Sequence, residues 1–254
     1  MKVKSIFKKE IKIYFTSPIA YVVLFIFSFL TGYLFYNLVA YYSLYSTRYS
    51  YQYSWMTFSP TEMIANPLFH NMAITSLFIL PLLTMRLFSE EKKTDTIELL
   101  FTYPLKDIDI YLGKFFACLT IFIVMLVPSA IYLSILEKWV DFDKIVLLNG
   151  YLGLILLGSS FISLGIFISS LTENQLIAAT FTFGLTLFFW LIGWASGITG
   201  GKISSFFSFV SLNKHYENFP KGILDTRDII FYLSFTFFFS FTTLRILLSK
   251  KYRG

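Results

Sequence analysis

The chain has 254 residues, 56% of them hydrophobic and only 14% charged, against roughly 25% charged in an average soluble domain. That balance excludes an ordinary water-soluble fold. The formal net charge of +6 reads as membrane topology and contact with anionic lipid, not as nucleic-acid binding, and the single cysteine, Cys118, excludes an intrachain disulfide or a cysteine metal site.

A helix needs about 20 mostly apolar residues to cross roughly 30 Å of hydrocarbon. Six stretches meet that requirement: residues 13–47, 63–85, 115–136, 145–172, 174–201 and 229–244, free of Asp, Glu, Lys, Arg and His except for His70. The last extends to about residue 248, because Arg245 reaches the headgroups along its aliphatic stem. The expected fold class is an all-α integral membrane protein with six transmembrane helices. Basic residues set its orientation. An N-terminus in the cytoplasm puts fourteen on that side (Lys2, Lys4, Lys8, Lys9, Lys12, Arg86, Lys92, Lys93, Lys106, Lys114, Arg245, Lys250, Lys251, Arg253) and seven on the other (Arg48, Lys138, Lys144, Lys202, Lys214, Lys221, Arg227). An even number of spans returns the C-terminus to the cytoplasm.

In chain order, Val3, Ile6, Phe7, Ile11 and Tyr14 recur at helical spacing with lysines on the other face, the pattern of a helix lying in the membrane interface. Thr16 or Ser17 offers an N-cap and Pro18 suits a first helical position. The apolar run that follows is too long for a signal peptide and lacks a cleavage site, so the first span is expected to be retained. Residues 41–66, tyrosine-rich and including Trp55, suit an external loop resting at the interface.

The link from Arg86 to Lys114 is too polar for hydrocarbon and too short for a domain. Asp95 with Glu98 three residues later forms a capping-box-like start, and Tyr103-Pro104 ends the helix. About two turns result, carrying Ile97, Leu99, Leu100 and Phe101. Such a helix either meets a protein partner, as exposed apolar surface does, or lies in the headgroups as an amphipathic connector. Further on, Gly150, Gly153, Gly158 and Gly165 with Ser159, Ser160 and Ser163 allow close helix approach, within the chain or across a dimer face. Residues 171–175, around Glu173, make a tight turn. In residues 196–227 the apolar patch 203–212 is too short to cross, which predicts a re-entrant or interfacial helix on the outer side.

The run PLLTMRLFSEEKKTDTIELLFTYPLKDIDIYLGKF at 81–115 and LGIFISSLTENQ at 164–175 resemble the membrane subunits of type-2 ABC transporters, in the branch of gliding-motility and NosY-like permeases. The resemblance implies one permease domain over 1–254, with an elbow helix at 1–15, a cytoplasmic coupling segment at 86–110 and an external re-entrant segment at 196–227. It makes residues 94–101, with Thr94, Asp95, Ile97, Glu98, Leu99, Leu100 and Phe101, a coupling helix that docks into a groove on a separate ATP-binding cassette ATPase, with Glu90, Glu91 and Glu98 helping to transmit motion. Relatives commonly carry glycine at the position of Asp95. A second permease copy or homologue, a prokaryotic cytoplasmic membrane and export of a substrate are further implications.

The phosphate-loop pattern G-x-x-x-x-G-K-[ST] is absent, and Gly200-Gly201-Lys202 lacks its spacing. ATP and Mg therefore belong on a partner subunit, and no cofactor is expected in this chain. The spans offer essentially no carboxylates for catalysis or for a proton-driven carrier, and neither His70 nor His215 has a metal-ligand companion at helical spacing. Ser28, Thr31, Gly32 and Asn37 in the first span, and Thr180, Thr182, Thr186 and Trp190 in the fifth, are candidates for lining a passage or for ordinary hydrogen bonds between helices. The rival functions are a stand-alone secondary transporter or channel, and a membrane anchor or mechanical transmitter that moves no solute.

Overall fold

The computed structural model describes residues 2–50, 59–96, 106–197 and 201–251. Among these, the regular elements are all helical: α1 (Lys2–Thr16), α2 (Pro18–Ser50), a π-helical turn (Thr61–Ala65) opening α3 (Asn66–Thr84), α4 (Arg86–Lys93), α5 (Asp107–Leu136), α6 (Lys144–Leu171), α7 (Gln175–Ala195), α8 (Gly201–Val210), α9 (Leu212–Tyr216), a 3-10 turn (Phe219–Lys221) and α10 (Thr226–Lys251). Six runs are long and apolar enough to cross a membrane: Pro18–Ser46, Thr61–Lys93, Asp107–Leu136, Lys144–Leu171, Gln175–Ala195 and Thr226–Ser249. With six such runs, the start of the first and the end of the last fall at the same end of the bundle, here the near end.

The chain turns at Ser17, whose hydroxyl accepts from Ile19 N at 3.4 Å. Thr16 bonds back to Lys12 O instead, and Pro18 opens α2 as expected. Residues 13–16 therefore belong to α1 and not to the first span. The external loop expected at 41–66 is shorter than that, because α2 continues through Ser50; Trp55 lies outside the described residues.

Helices α3 and α6 form the buried centre, with α6 packed against α3, α5, α7 and α10. Small residues make that possible. A Cβ on Gly150 would lie 2.5 Å from the Phe69 ring, on Gly153 2.6 Å from Phe219, on Gly158 2.2 Å from Phe122 and on Gly165 2.2 Å from Thr84 Oγ1. The glycines of the fourth span thus serve packing within the chain. Ser160 sits in the same seam, 3.4 Å from Tyr232 O and 3.3 Å from Thr236 Oγ1.

Short caps set the helix ends. Asp143 accepts from Ile145 N at 2.9 Å and Asn174 from Leu176 N at 2.9 Å, each meeting amide groups that the first turn leaves unpaired. Only residues 172–174 separate α6 from α7, the tight turn foreseen around Glu173.

At the far end, the patch 203–212 is two helices and not one. Val210 ends α8, which buries none of its residues, and the Ser211 hydroxyl accepts from Lys214 N at 3.3 Å to start α9. Leu212, Tyr216 and Phe219 are then fully buried, with Tyr216 donating to Phe69 O at 3.0 Å and Asn149 Nδ2 to Gly222 O at 2.9 Å. The His215 ring stacks on Phe231 at 3.9 Å and faces Asp228 Oδ1 at 2.6 Å and Phe209 O at 3.0 Å.

Replacing Gly158 by Val forces a branched side chain into the Phe122 ring. Such overpacking costs about 1–3 kcal/mol, so the unfolding midpoint of the purified protein is expected to fall. Gly184→Ala, where a Cβ meets nothing within 4 Å, is expected to leave it unchanged in the same thermal-unfolding measurement.

Candidate functional site

The densest polar structure at the near end is built by α1, α4 and α5. Ile6, Glu10 and Tyr14 follow one another at four-residue spacing on α1, and all three are buried. The helix comes close to α5 because residue 113 is glycine: a Cβ there would lie 2.6 Å from Ile6 Cγ2. The next residue, Lys114, consequently points into the junction with its side chain 1% exposed.

A buried ammonium is tolerated only when paired and hydrogen-bonded. Lys114 Nζ lies 2.8 Å from Glu10 Oε1 of α1 and donates to Leu87 O of α4 at 2.6 Å. Glu91 Oε2 of α4 is 3.0 Å away, an ion-pair distance without hydrogen-bond alignment. The other oxygen of Glu91 accepts from Lys9 Nζ at 3.0 Å, and the Phe88 ring lies beneath the ammonium at 5.0 Å. One lysine therefore ties three helices together.

The start of α4 is fixed from α6. Ser169 Oγ accepts from Phe88 N at 3.0 Å and Ser89 N at 3.1 Å, and donates to Met85 O at 3.0 Å. A side chain inserted into the backbone ladder in this way breaks a helix, which accounts for the interruption at Met85 between α3 and α4. Lys92 Nζ donates to Ser170 O, further along the same contact. On the other flank the Arg86 guanidinium lies 4.4 Å above the Tyr14 ring. Burial pushes the Tyr14 phenol well above its usual range, so it remains a donor to Leu83 O at 2.9 Å.

Of the residues assigned to coupling, Glu90 is exposed and Glu91 half-buried in the Lys114 network. Thr94 is exposed and bonds Glu90 O at 2.9 Å. Asp95 has φ 52°, in the left-handed region, where an N-cap residue would be extended. Thr94 N bonds Glu90 O and Asp95 N bonds Lys92 O, so Asp95 also follows the end of α4, a place that favours glycine; Thr96 directly after it is helical again, and Glu98, its expected capping-box partner, lies outside the described residues. Ile97, Glu98, Leu99, Leu100 and Phe101 lie outside the described residues, as do Tyr103 and Pro104.

Five of the passage candidates have side-chain bonds within their own helix. Thr31 Oγ1 donates to Phe27 O at 2.8 Å and to Ser28 O at 3.2 Å, and Asn37 Nδ2 donates to Tyr33 O at 2.8 Å. Thr180, Thr182 and Thr186 bond Leu176 O, Ala178 O and Thr182 O at 2.7–2.9 Å. A Cβ on Gly32 would lie 3.4 Å from the Tyr132 hydroxyl, and Trp190 is buried. These bonds run back along each residue's own helix, not between helices.

Glu10, Lys114 and Arg86 were not singled out from sequence as site residues. Glu10 carried a signal, a carboxylate on the apolar face between Ile6 and Tyr14. For Lys114 the signal was its position directly before the apolar run that starts at Phe115.

These features define a six-span helical membrane protein whose ionic centre lies where two spans and an N-terminal helix meet. Residues 4–249 match the model of the ABC-2 family transporter protein, and the chain belongs to that family, the membrane permeases of ABC transporters. Among curated proteins, no significant match is found.

Breaking a buried ion pair from one side destabilises by about 3–5 kcal/mol. Lys114→Met is expected to fall in that range by denaturant or thermal unfolding, and Glu10→Gln combined with it to lose less than the sum of the two single changes. Asp95→Gly is expected to be neutral or stabilising by up to about 1 kcal/mol, and Asp95→Val destabilising, because only glycine adopts the left-handed backbone without strain.

Proposed function

We propose that this chain is the permease subunit of an ATP-driven exporter of the gliding-motility or NosY-like branch. Residues 1–254 act as one permease domain in a prokaryotic cytoplasmic membrane, both termini in the cytoplasm, energised by a separate ATP-binding cassette subunit that holds ATP and Mg. The observation that carries the reading is the Lys114 junction. It joins α1 to α4 and α5, the two helices that lead into and out of residues 94–106, as one unit.

In this reading α1 is the elbow helix and residues 94–101 dock on the ATPase through Ile97, Leu99, Leu100 and Phe101. A push on that segment moves α4, and with it the Lys114 pairs, so the displacement reaches α3 and α5 as a rigid unit and not as a local loop motion. Ser169 carries the same motion into α6. The basic excess on the near side supports its cytoplasmic placement. The 196–227 segment is then the external one, with α8 lying in or at the outer interface.

A second copy or homologue completes the complex, two permeases with two ATPases. The broad apolar face of α2, where Tyr21, Phe25, Phe29, Tyr33 and Tyr36 are exposed, and the exposed Leu176, Phe181 and Phe188 of α7 are available for that contact and for lipid. Substrate passes along the dimer axis, past Ser28, Thr31, Asn37, Thr182 and Thr186.

Affinity purification of the chain from its native membrane is expected to bring down an ATP-binding cassette ATPase, and Leu99→Glu with Leu100→Glu to abolish its capture while the permease stays folded. Retention of the ATPase by the double variant would reject the docking helix. Failure of any ATPase to follow the native chain would favour a stand-alone carrier, a channel or an anchor.

A further inference from the structure

Between α1 and α4 runs a cleft of about 300 Å³, lined by Lys9, Glu10, Ile13, Arg86, Leu87, Glu90, Glu91, Thr94, Thr96 and Lys114. Two lysines and two glutamates pair off inside it: Lys114 with Glu10 and Glu91, and Lys9 with Glu91. Two opposite charges remain. Arg86, 7% exposed, has a buried Nη2 without a hydrogen-bond partner, and its guanidinium lies over the Tyr14 ring. Glu90, exposed at the side of the cleft, makes no ion pair among the described residues.

A guanidinium, unlike a lysine, carries fixed N–H forks that match a phosphate or carboxylate. An unpaired buried donor of this kind calls for an acceptor. The charge left over is one cation and one carboxylate, four residues apart on α4 and hence about 5–6 Å between Cβ atoms. That pair fits a zwitterion better than a simple anion: an oxyanion on Arg86 and an ammonium on Glu90, joined by a spacer of about two carbons.

Depth identifies the oxyanion. The charge-free run of α3 ends at Met85 and that of α5 starts at Phe115, so Arg86 and Lys114 stand at the border between hydrocarbon and headgroups. Phosphates of the bilayer lie at that level, whereas a docked protein would reach the cleft from its Thr94 and Thr96 end. We infer that the cleft between α1 and α4 binds a phosphoethanolamine group, its phosphate on Arg86 and its ammonium on Glu90, as a phospholipid headgroup or the free compound. Occupancy would wedge α1 against α4 beside the Lys114 junction. The inference does not depend on the ATPase reading, since it uses only this chain and the bilayer.

The test is titration of the detergent-purified full chain, by native mass spectrometry, with short-chain phosphatidylethanolamine, phosphatidylglycerol of the same chains, and free phosphoethanolamine. The ethanolamine lipid is expected to bind at least about tenfold tighter than the glycerol lipid, Arg86→Gln to weaken it by about tenfold or more, and Glu90→Gln to erase the preference between the two. Because Glu90 is exposed, its variant tests the site even if Arg86→Gln fails to fold; Arg86→Lys, which keeps the charge but loses the fork, is expected to bind with intermediate strength. Binding of free phosphoethanolamine as tight as that of the lipid upholds the site and assigns it a soluble ligand. Equal binding of both lipids to the native chain, or a preference untouched by Glu90→Gln, overturns the proposal. Binding of none overturns it too and leaves Arg86 as the seat for an acidic side chain of a protein partner.

Discussion

A fully buried ammonium can exist only if other elements bring it counter-charge, and Lys114 obtains this from α1 and α4 at once. The arrangement is demanding. Removal of either carboxylate leaves charge without a partner in a place of low dielectric, where an unpaired ion is expensive. Three helices that share little sequence contiguity are consequently fixed relative to one another at the end of the bundle from which residues 97–105 depart. The rest of the near end is organised around that fixed point: Ser169 holds the start of α4 from α6, and Tyr14 holds α1 to the end of α3.

The interior elsewhere follows the other rule of membrane proteins, that polar groups must be satisfied inside the protein. Most threonines and serines of α2, α6 and α7 return their hydroxyls to carbonyls of their own helices, while Ser160 and Ser169 of α6 also reach across to α10 and to the start of α4. Shape completes the helix contacts, through glycines facing Phe69, Phe122, Phe219 and Thr84. At the far end, buried tyrosines do what lysine does at the near one. Tyr216 and Tyr232 tie the segment after α8 to α3 and α10 by bonds to Phe69 O and Leu212 O, turning an irregular stretch into a plug in the bundle.

The two ends differ in how they can respond to a partner. The far end is closed by buried tyrosine hydrogen bonds and aromatic packing, with the His215–Asp228 contact and the more exposed ion pairs Lys144–Glu137 and Lys214–Glu217. The near end is held by ion pairs among groups that also line an open cleft. A ligand or a protein that changes the local charge can therefore act at the near end, where α1 and α4 face each other.

The sequence by itself determined the number of spans, because hydrocarbon admits only uncharged helices and charge-free runs can be counted. It also determined the break before Pro18 and the tight link after Leu171, which rest on local backbone chemistry, whereas the α6 glycines were legible only as sites of close approach, and the structure assigned that approach to packing within the chain. It left the ends of the spans loosely defined, since helices continue past the apolar run wherever a cap or a neighbour supports them, as α2 does to Ser50 and α5 does from Asp107. Tertiary structure decided the site. Glu10, Arg86 and Lys114 are 76 and 28 residues apart along the chain, and their meaning as a buried ionic centre with one cation left over arises only when α1 crosses α5 at Gly113. Pairing of charges across helices is a property of distances in space, and no local pattern encodes it.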